Sequence, residues 1–326
     1  MGFVDARSPA RTLALLVLAT GAAHGQTQFS VGVPGRGNGS YGVSLQHISI
    51  TKRDIDVANG EFGELTLRSA FFDFDYGLTD RLALNLTLPF KSNRFIGEPP
   101  YDHDTSLLID DHGEKFLDDG EYHSAWGDFG VNLRWLWRTS PIAVTPFIGY
   151  YFPSNDYPLF TETQAGTAQW RADFGVNMAG RLGPPRLNLT WTAGYAYSLM
   201  EKTRPSDAPG RRVNHSRVSA EFSWRATPLI TPYLHVSYVD PHNGLDLDEF
   251  FGFPFSEEGF PHSDQYYYHD QLLPWGYSTW SLGVNFQAPA RMSLTASYGR
   301  SLNIGFGHEY EPAMSLSIAR FFARGN

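Results

Sequence analysis

From Arg81 the chain places Leu82, Leu84, Leu86, Leu88 and Phe90 on one parity, and Ala83, Asn85 and Thr87 on the other. Successive side chains of a strand point to opposite faces, so this period of two describes a ribbon with one apolar and one polar face. The pattern returns in Trp170, Ala172, Phe174, Val176 and Met178, and again in Leu187, Leu189, Trp191, Ala193, Tyr195 and Tyr197. Val218, Ala220, Phe222 and Trp224 repeat it, as do Trp280, Leu282, Val284 and Phe286. No segment sustains helical spacing. The alternation predicts twelve strands, near residues 40–52, 63–76, 81–91, 124–138, 142–153, 168–182, 187–200, 213–226, 229–240, 277–288, 291–302 and 312–322.

The connections alternate in length. Tight ones fall at Gly77–Asp80, Thr139–Pro141, Gly183–Arg186, Thr227–Pro228 and Ala288–Ala290, and long ones near 92–123, 154–167, 201–212, 241–276 and 303–311. That is a hairpin meander with every short turn at one end. A soluble sandwich and a membrane barrel can both be built so, and the faces discriminate between them. Trp135, Trp137, Trp170, Trp224 and Trp280 lie on the apolar face near strand ends, while the polar face carries charges in mid-strand. Buried charges are costly unless paired, so the polar face is no ordinary core. It fits a wet lumen inside an apolar band with aromatic girdles. The expected fold is all-β: a transmembrane antiparallel up-and-down β-barrel of about twelve strands, with short periplasmic turns and long extracellular loops. Closure pairs every edge, as lipid requires, and an even strand number returns both termini to the periplasm.

Arg7 and Arg11 precede the apolar stretch Thr12–Ala19, and small residues follow at Ala23 and Gly25. That is the form of a secretory signal, giving residues 1–25 as a signal peptide and 26–326 as an outer-membrane barrel of a Gram-negative bacterium. No Cys is present, so disulfide scaffolds and lipoprotein processing are excluded. Mean hydropathy of −0.30 argues against a bundle of membrane helices, and 15% aromatic residues argue against disorder.

Strand parity places Glu64, Arg68, Asp128, Arg134, Arg171, Asp173, Arg181, Arg217, Glu221 and Arg225 on the lumen side. Asp73 and Asp75 join them if a bulge at Ala70–Phe72 switches the phase of the second strand. Acids and bases are balanced, which points to structural ion pairs that narrow the bore rather than to a one-signed selectivity ladder. Glycines on the inward faces, Gly175, Gly194 and Gly283, are expected to leave the bore open. His235 faces inward between Tyr233 and Ser237, but neighbours two apart on a strand stand about 7 Å apart, too far for a nucleophile and its base. His215-Ser216 lies at an outer strand end. Hydrolase chemistry would need cross-strand partners.

The acidity is confined to two loops. Residues 91–122 carry a net charge of −6 and residues 240–276 carry −8, so against the total of −9 the rest is +5. Nucleic acid is an unsuitable partner for that rim. Asp110-Asp-His-Gly-Glu and Asp246-Leu-Asp-Glu249 offer oxygen ligands suited to Ca²⁺, but neither has EF-hand spacing, so no metal or cofactor is expected. The second loop also holds Phe250, Phe251, Phe253, Phe255, Phe260, Tyr266, Tyr267, Tyr268 and Trp275. So many rings should pack, either as a lid over the barrel mouth or as a contact site for an apolar solute.

Phe74–Phe90, Trp126–Trp135, Phe152-Pro-Ser-Asn155 and the closing Ala313–Phe322 resemble the outer-membrane barrel transporters labelled for the MetA pathway of phenol degradation. The resemblance covers most of the mature chain and implies uptake of hydrophobic compounds without naming ligand residues. The expectation is an outer-membrane channel for passive uptake of small hydrophobic or aromatic compounds, no enzyme, with lipid, lipopolysaccharide, the barrel-assembly machinery and a small solute as partners. Two alternatives stay open: a surface interaction protein anchored by its barrel, and an outer-membrane hydrolase.

Overall fold

The computed structural model describes residues 31–53, 63–97, 113, 117–159, 161–206, 210–245, 267–306 and 308–323. The proposed signal peptide, both calcium-like motifs apart from Gly113, Phe250, Phe251, Phe253, Phe255, Phe260 and Tyr266 lie outside the described residues.

Thirteen strand segments form one closed antiparallel sheet: β1 (Gly39–Arg53), β2 (Glu64–Gly77), β3 (Leu82–Ile96), β4 (His123–Trp126), β5 (Phe129–Trp135), β6 (Ala143–Phe152), β7 (Arg171–Arg181), β8 (Leu189–Met200), β9 (Asn214–Trp224), β10 (Ile230–His242), β11 (Gly276–Ala288), β12 (Met292–Phe306) and β13 (His308–Phe322). β4 and β5 both pair with β3 and are interrupted only by Gly127-Asp128, so the barrel has twelve staves. β13 closes it on β1, from Gly39↔Phe322 to Arg53↔His308. The pair Gly39↔Phe322 sits beside Gly39↔Tyr76, so both ends of the barrel chain stand at the short-turn rim.

The faces are inverted relative to a soluble protein. Outward side chains such as Leu45, Phe72, Ile148, Phe174, Phe222, Leu282 and Leu316 are large, apolar and between 36% and 61% exposed. Inward positions are polar and buried: Ser44, Asp73, Asn85, Asn132, Thr145, Asn177, Ser219, Thr279 and Thr295. An apolar surface of this extent is stable only against lipid. Outward rings pack in a row near the long-loop rim, edge-on around Trp126 and Phe129 and stacked from Phe152 through Tyr150 to Trp170, with Phe72 tilted against Trp126. Tyr41, Phe74, Tyr76 and Phe322 stack near the other rim. The two groups mark aromatic girdles.

Three expectations are corrected. The registers of β2 with β1 and with β3 run without a shift from one end to the other, so no bulge occurs at Ala70–Phe72. Asp73 and Asp75 therefore share the inward parity with Phe71, while Glu64 and Arg68 are exposed on the outer wall. β3 continues five residues beyond the predicted end, to Ile96. The predicted last loop is almost all strand, but its two strands diverge. β12 pairs with β13 only from Met292↔Arg320 to Gly299↔Ala313. Beyond that β12 stays on β11 as far as Phe306, and β13 stays on β1 as far as His308.

Candidate functional site

The lumen wall is knitted by ion pairs between staves. Arg134 on β5 reaches across β3 to pair with Asp75 on β2. On the other wall Arg171 Nε lies 3.1 Å from Asp173 Oδ1, and Arg217 on β9 bonds Asp173 Oδ2 at 2.6 Å. Arg217 also donates to Ser198 Oγ at 2.9 Å, filling the stave between them. The Arg171 guanidinium stands 4.0 Å from the centre of the Tyr151 ring, whose hydroxyl accepts from Asn132 Nδ2 at 2.8 Å. The network thus runs from β5 to β9. Thr87 donates to Asp73 at 2.8 Å, and Ser223 to Glu221 at 2.7 Å. Desolvated pairs of this kind hold a wall rigid, and leaving either partner alone would be costly.

Of the other predicted lining residues, Asp128 and His235 are inward and buried, and Arg181 is inward near the short-turn rim. Arg225 sits exposed in the β9–β10 turn, close to the Pro228 carbonyl. Lys91 ends the predicted third strand on the inward parity of Ala83, Asn85 and Thr87, although its charge is summed with the loop; it faces inward on β3 beside Gly127. Neither ring nitrogen of His235 has a hydrogen-bond partner among the described residues, and Ser237 instead shares a 2.7 Å bond with Thr279. Tyr233, His235 and Ser237 therefore form no nucleophile–base pair.

Of the expected inward glycines, Gly194 faces Asn177 and Ser219, while Gly175 and Gly283 do not widen the bore. Gly175 lies directly opposite Phe147, Gly283 opposite Tyr233 and Gly130 opposite Tyr151. A Cβ at Gly283 would stand 2.3 Å from Tyr233 Cζ, and one at Gly175 2.4 Å from Phe147 Cζ. Each ring lies down on the glycine across from it, covering backbone that would otherwise be bare.

Both mouths are narrowed. At the long-loop rim residues 154–159 and 161–169 fold into the lumen across the β4–β5 stave. Tyr157 donates to Asp128, the Thr167 amide and hydroxyl reach the same carboxylate at 3.1 and 3.0 Å, and Asn93 of β3 donates to the Thr163 and Gln164 carbonyls at 3.3 and 3.0 Å. Burial and the adjacent Asp128 carboxylate push the Tyr157 phenol well above the usual tyrosine value, so it remains a donor. Asp118 caps the tip, accepting from Thr161 and the amides of Glu162 and Thr163.

A short helix, His269–Leu272, closes over this loop: Gln164 bonds Asp270 at 2.6 Å, and Gln271 bonds Thr203 and the Thr167 carbonyl. Tyr267, Leu272 and Leu273 are buried, Tyr268 meets Tyr267 edge-on and Trp275 is partly buried. The described part of the aromatic loop thus packs as a lid. Toward the long-loop ends of β1, β2, β3 and β13 the inner wall is apolar, with Ile48, Ile50, Leu65, Phe95 and Ala313 buried together. At the opposite rim residues 31–38 enter the lumen, and the Val31 carbonyl accepts from inward Thr145 of β6 at 2.9 Å.

On the outer wall, just above the girdle ring Trp126, the Arg68 and Arg94 guanidiniums stand 4.3 and 4.7 Å from the centre of the Tyr122 ring. Neither has an ion-pair partner among the described residues.

No protein-family profile matches the chain, and no curated protein matches it. Solved structures do. The COG4313 outer membrane channel from Pseudomonas putida F1 is 14% identical, with 94% of this chain and 100% of that one covered and a TM-score of 0.62. A NanC porin is 8% identical over 85% of this chain and 98% of its own, at a TM-score of 0.48. The CymD monoaromatic hydrocarbon channel is 10% identical over 89% and 90%, at 0.41. The first of these likenesses shows the fold: the chain has the fold of a twelve-stranded outer-membrane barrel.

Proposed function

We propose that this protein is an outer-membrane channel that passes small hydrophobic or aromatic compounds, with its long loops extracellular and both termini periplasmic. The observation that carries the reading is the inversion of the wall: an apolar exterior between girdles around a polar lumen whose two ends are entered by chain segments. The solved channel with the same fold supports it. The hydrophobic solute class rests on the mouth, where the apolar patch around Ile48, Ile50, Leu65 and Phe95 meets Ala313, the point at which β12 and β13 part. An apolar compound held there has a short path into the outer leaflet and need not cross the charged waist. Tyr267, Tyr268 and Trp275 of the lid are its candidate contacts, together with Phe250, Phe251, Phe253, Phe255 and Tyr266.

The barrel-assembly machinery inserts the chain after the signal is removed at Gly25, and lipopolysaccharide surrounds it. Arg68 and Arg94, above the girdle and without carboxylate partners among the described residues, suit its phosphates. Uptake of radiolabelled toluene by cells with and without the gene tests the solute class. Faster accumulation with the wild-type chain, reduced by Ile48→Asp with Leu65→Asp, is expected. Equal accumulation in all three strains contradicts it.

A further inference from the structure

The barrel's outer wall carries a second polar constellation at the long-loop edge of the apolar band. Ser216 on β9 and Asp240 on β10 are cross-strand partners, and His242 stands two residues beyond Asp240 on the same face. Ser216 Oγ and His242 Nε2 are 2.8 Å apart. The other ring nitrogen, Nδ1, faces Asp240 Oδ2 at 3.9 Å, within ion-pair range. Tyr197 stacks on the imidazole with centroids 6.0 Å apart and planes 20° from parallel, fixing the ring. The Tyr238 hydroxyl donates to the far oxygen of Asp240 at 3.1 Å, and the Tyr195 hydroxyl lies 3.2 Å from Ser216 Oγ. The sequence could not bring these together, because Ser216 and His242 are 26 residues apart and meet only through the β9–β10 register.

The height of the cluster identifies its substrate. Its neighbours on the same face are lipid-facing: Val218 and Tyr238 are each 50% exposed. Trp224 marks the opposite girdle, eight residues down β9 from Ser216. At about 3.4 Å per residue and a tilt of about 40°, that is roughly 21 Å of height against an apolar band of about 25 Å. Ser216 therefore stands where the hydrocarbon gives way to the headgroup region, the level of the acyl ester carbonyls of membrane lipids. A serine that served only as wall polarity would not need a base on its hydroxyl at hydrogen-bond distance, an acid behind that base and a ring clamping it.

We propose that Ser216, His242 and Asp240 form a lipid-facing serine hydrolase site that cleaves acyl esters of glycerophospholipids lying against the barrel wall. Ser216 Oγ attacks the ester carbonyl carbon and gives its proton to His242 Nε2. The Oγ–carbonyl bond forms while the Tyr195 hydroxyl faces the developing oxyanion. Asp240 stabilises the imidazolium as a positioning residue. The bond from carbonyl carbon to glycerol oxygen then breaks, and that oxygen takes the proton from Nε2. Water attacks the acyl-serine, passing a proton to His242 as the Oγ–acyl bond breaks and Oγ recovers its proton. The products are a free fatty acid and a lysophospholipid, and no further reactant is consumed. The site lies outside the lumen, so it does not depend on the channel reading; orientation decides only which leaflet it samples.

The test uses the full mature chain in mixed micelles of detergent and a phospholipid carrying a self-quenched fluorescent acyl chain, together with a long-chain sulfonyl fluoride as covalent probe. The expected results are release of fatty acid by the wild type and one adduct mapped to Ser216 by mass spectrometry. Turnover should fall at least about a hundredfold in Ser216→Ala and in His242→Asn, and about tenfold in kcat for Asp240→Asn with KM little changed. Heat-modifiable mobility on gels confirms that each variant is folded, and Ser216→Ala should keep the wild type's bilayer conductance. Absence of turnover and adduct in the folded wild type, or equal turnover in Ser216→Ala, overturns the proposal. Loss of conductance in every form bears on the channel reading alone.

Discussion

Replacing Arg134 with Met asks whether the lumen wall is dry where its ion pairs lie. Arg134 and Asp75 have side chains only 3% and 5% exposed, and they pair across the whole width of β3. The Asp73 carboxylate, two residues along the same face of β2, adds like-charge repulsion once the guanidinium is gone. Removing one partner of a desolvated pair costs about 3–5 kcal/mol, because the remaining charge has no compensation. If water screened the pair, as at an ordinary surface, the loss would stay below about 1 kcal/mol. Adding Asp75→Asn to Arg134→Met removes the stranded charge and should recover most of the stability, giving a coupling of about 3 kcal/mol in a double-mutant cycle. Urea unfolding in phospholipid vesicles, followed by the fluorescence of the chain's eight Trp residues, reads these differences. A single variant within about 1 kcal/mol of wild type, or a double variant no better than the single, would refute the dry wall.

Three further outcomes follow from the same geometry. Gly283→Leu drives a side chain into the Tyr233 ring and should cost about 1–3 kcal/mol by overpacking, with Tyr233→Ala in the same chain restoring stability measured by urea titration. Tyr157→Phe removes one of the three donors that tie the inward loop to Asp128, and should raise the frequency of open events in bilayer recordings. Because the folded-state value of that phenol is raised above the unfolded one near 10, the tether is fully present below pH about 10 and weakens only above it; wild-type gating that changes between pH 8 and 9 through Tyr157 would contradict this. Arg68→Gln with Arg94→Gln should lower the lipopolysaccharide that copurifies with the protein by about tenfold, read by native mass spectrometry, without altering conductance.

Much of the architecture was legible because period two, turn chemistry and the placement of Trp all pointed to one wall. Arg171, Asp173, Arg217 and Glu221 lie inward where the alternation is uninterrupted, whereas Arg225, one residue past the end of β9, does not. Parity failed in β2, where Ala70-Phe71-Phe72 reads equally well in either phase and a charge was taken to mark the lumen. That inference holds only within the lipid band; above the girdle a charged side chain such as Arg68 can sit on the outer wall at no cost. The bulge at Gly127-Asp128 switches the outward parity from Trp126 to Phe129, a change of phase that the four residues of β4 are too few to reveal. The glycines were misjudged for a different reason. A glycine's role depends on the residue opposite it, and Phe147, Tyr151 and Tyr233 are assigned to Gly175, Gly130 and Gly283 only by register. The same holds for Asp75 with Arg134 and for Ser216 with His242: contacts between staves are set by pairing, which the linear pattern does not contain.

Single-channel recording of the mature chain in planar bilayers tests the central claim most directly. A polar lumen narrowed by residues 154–159, 161–169 and 31–38 predicts small, ohmic conductance steps, and larger ones when residues 158–166 are replaced by a short Gly-Ser linker. Bilayers that stay silent with both forms, although each is folded and inserted, would contradict a channel and leave the barrel as an anchor.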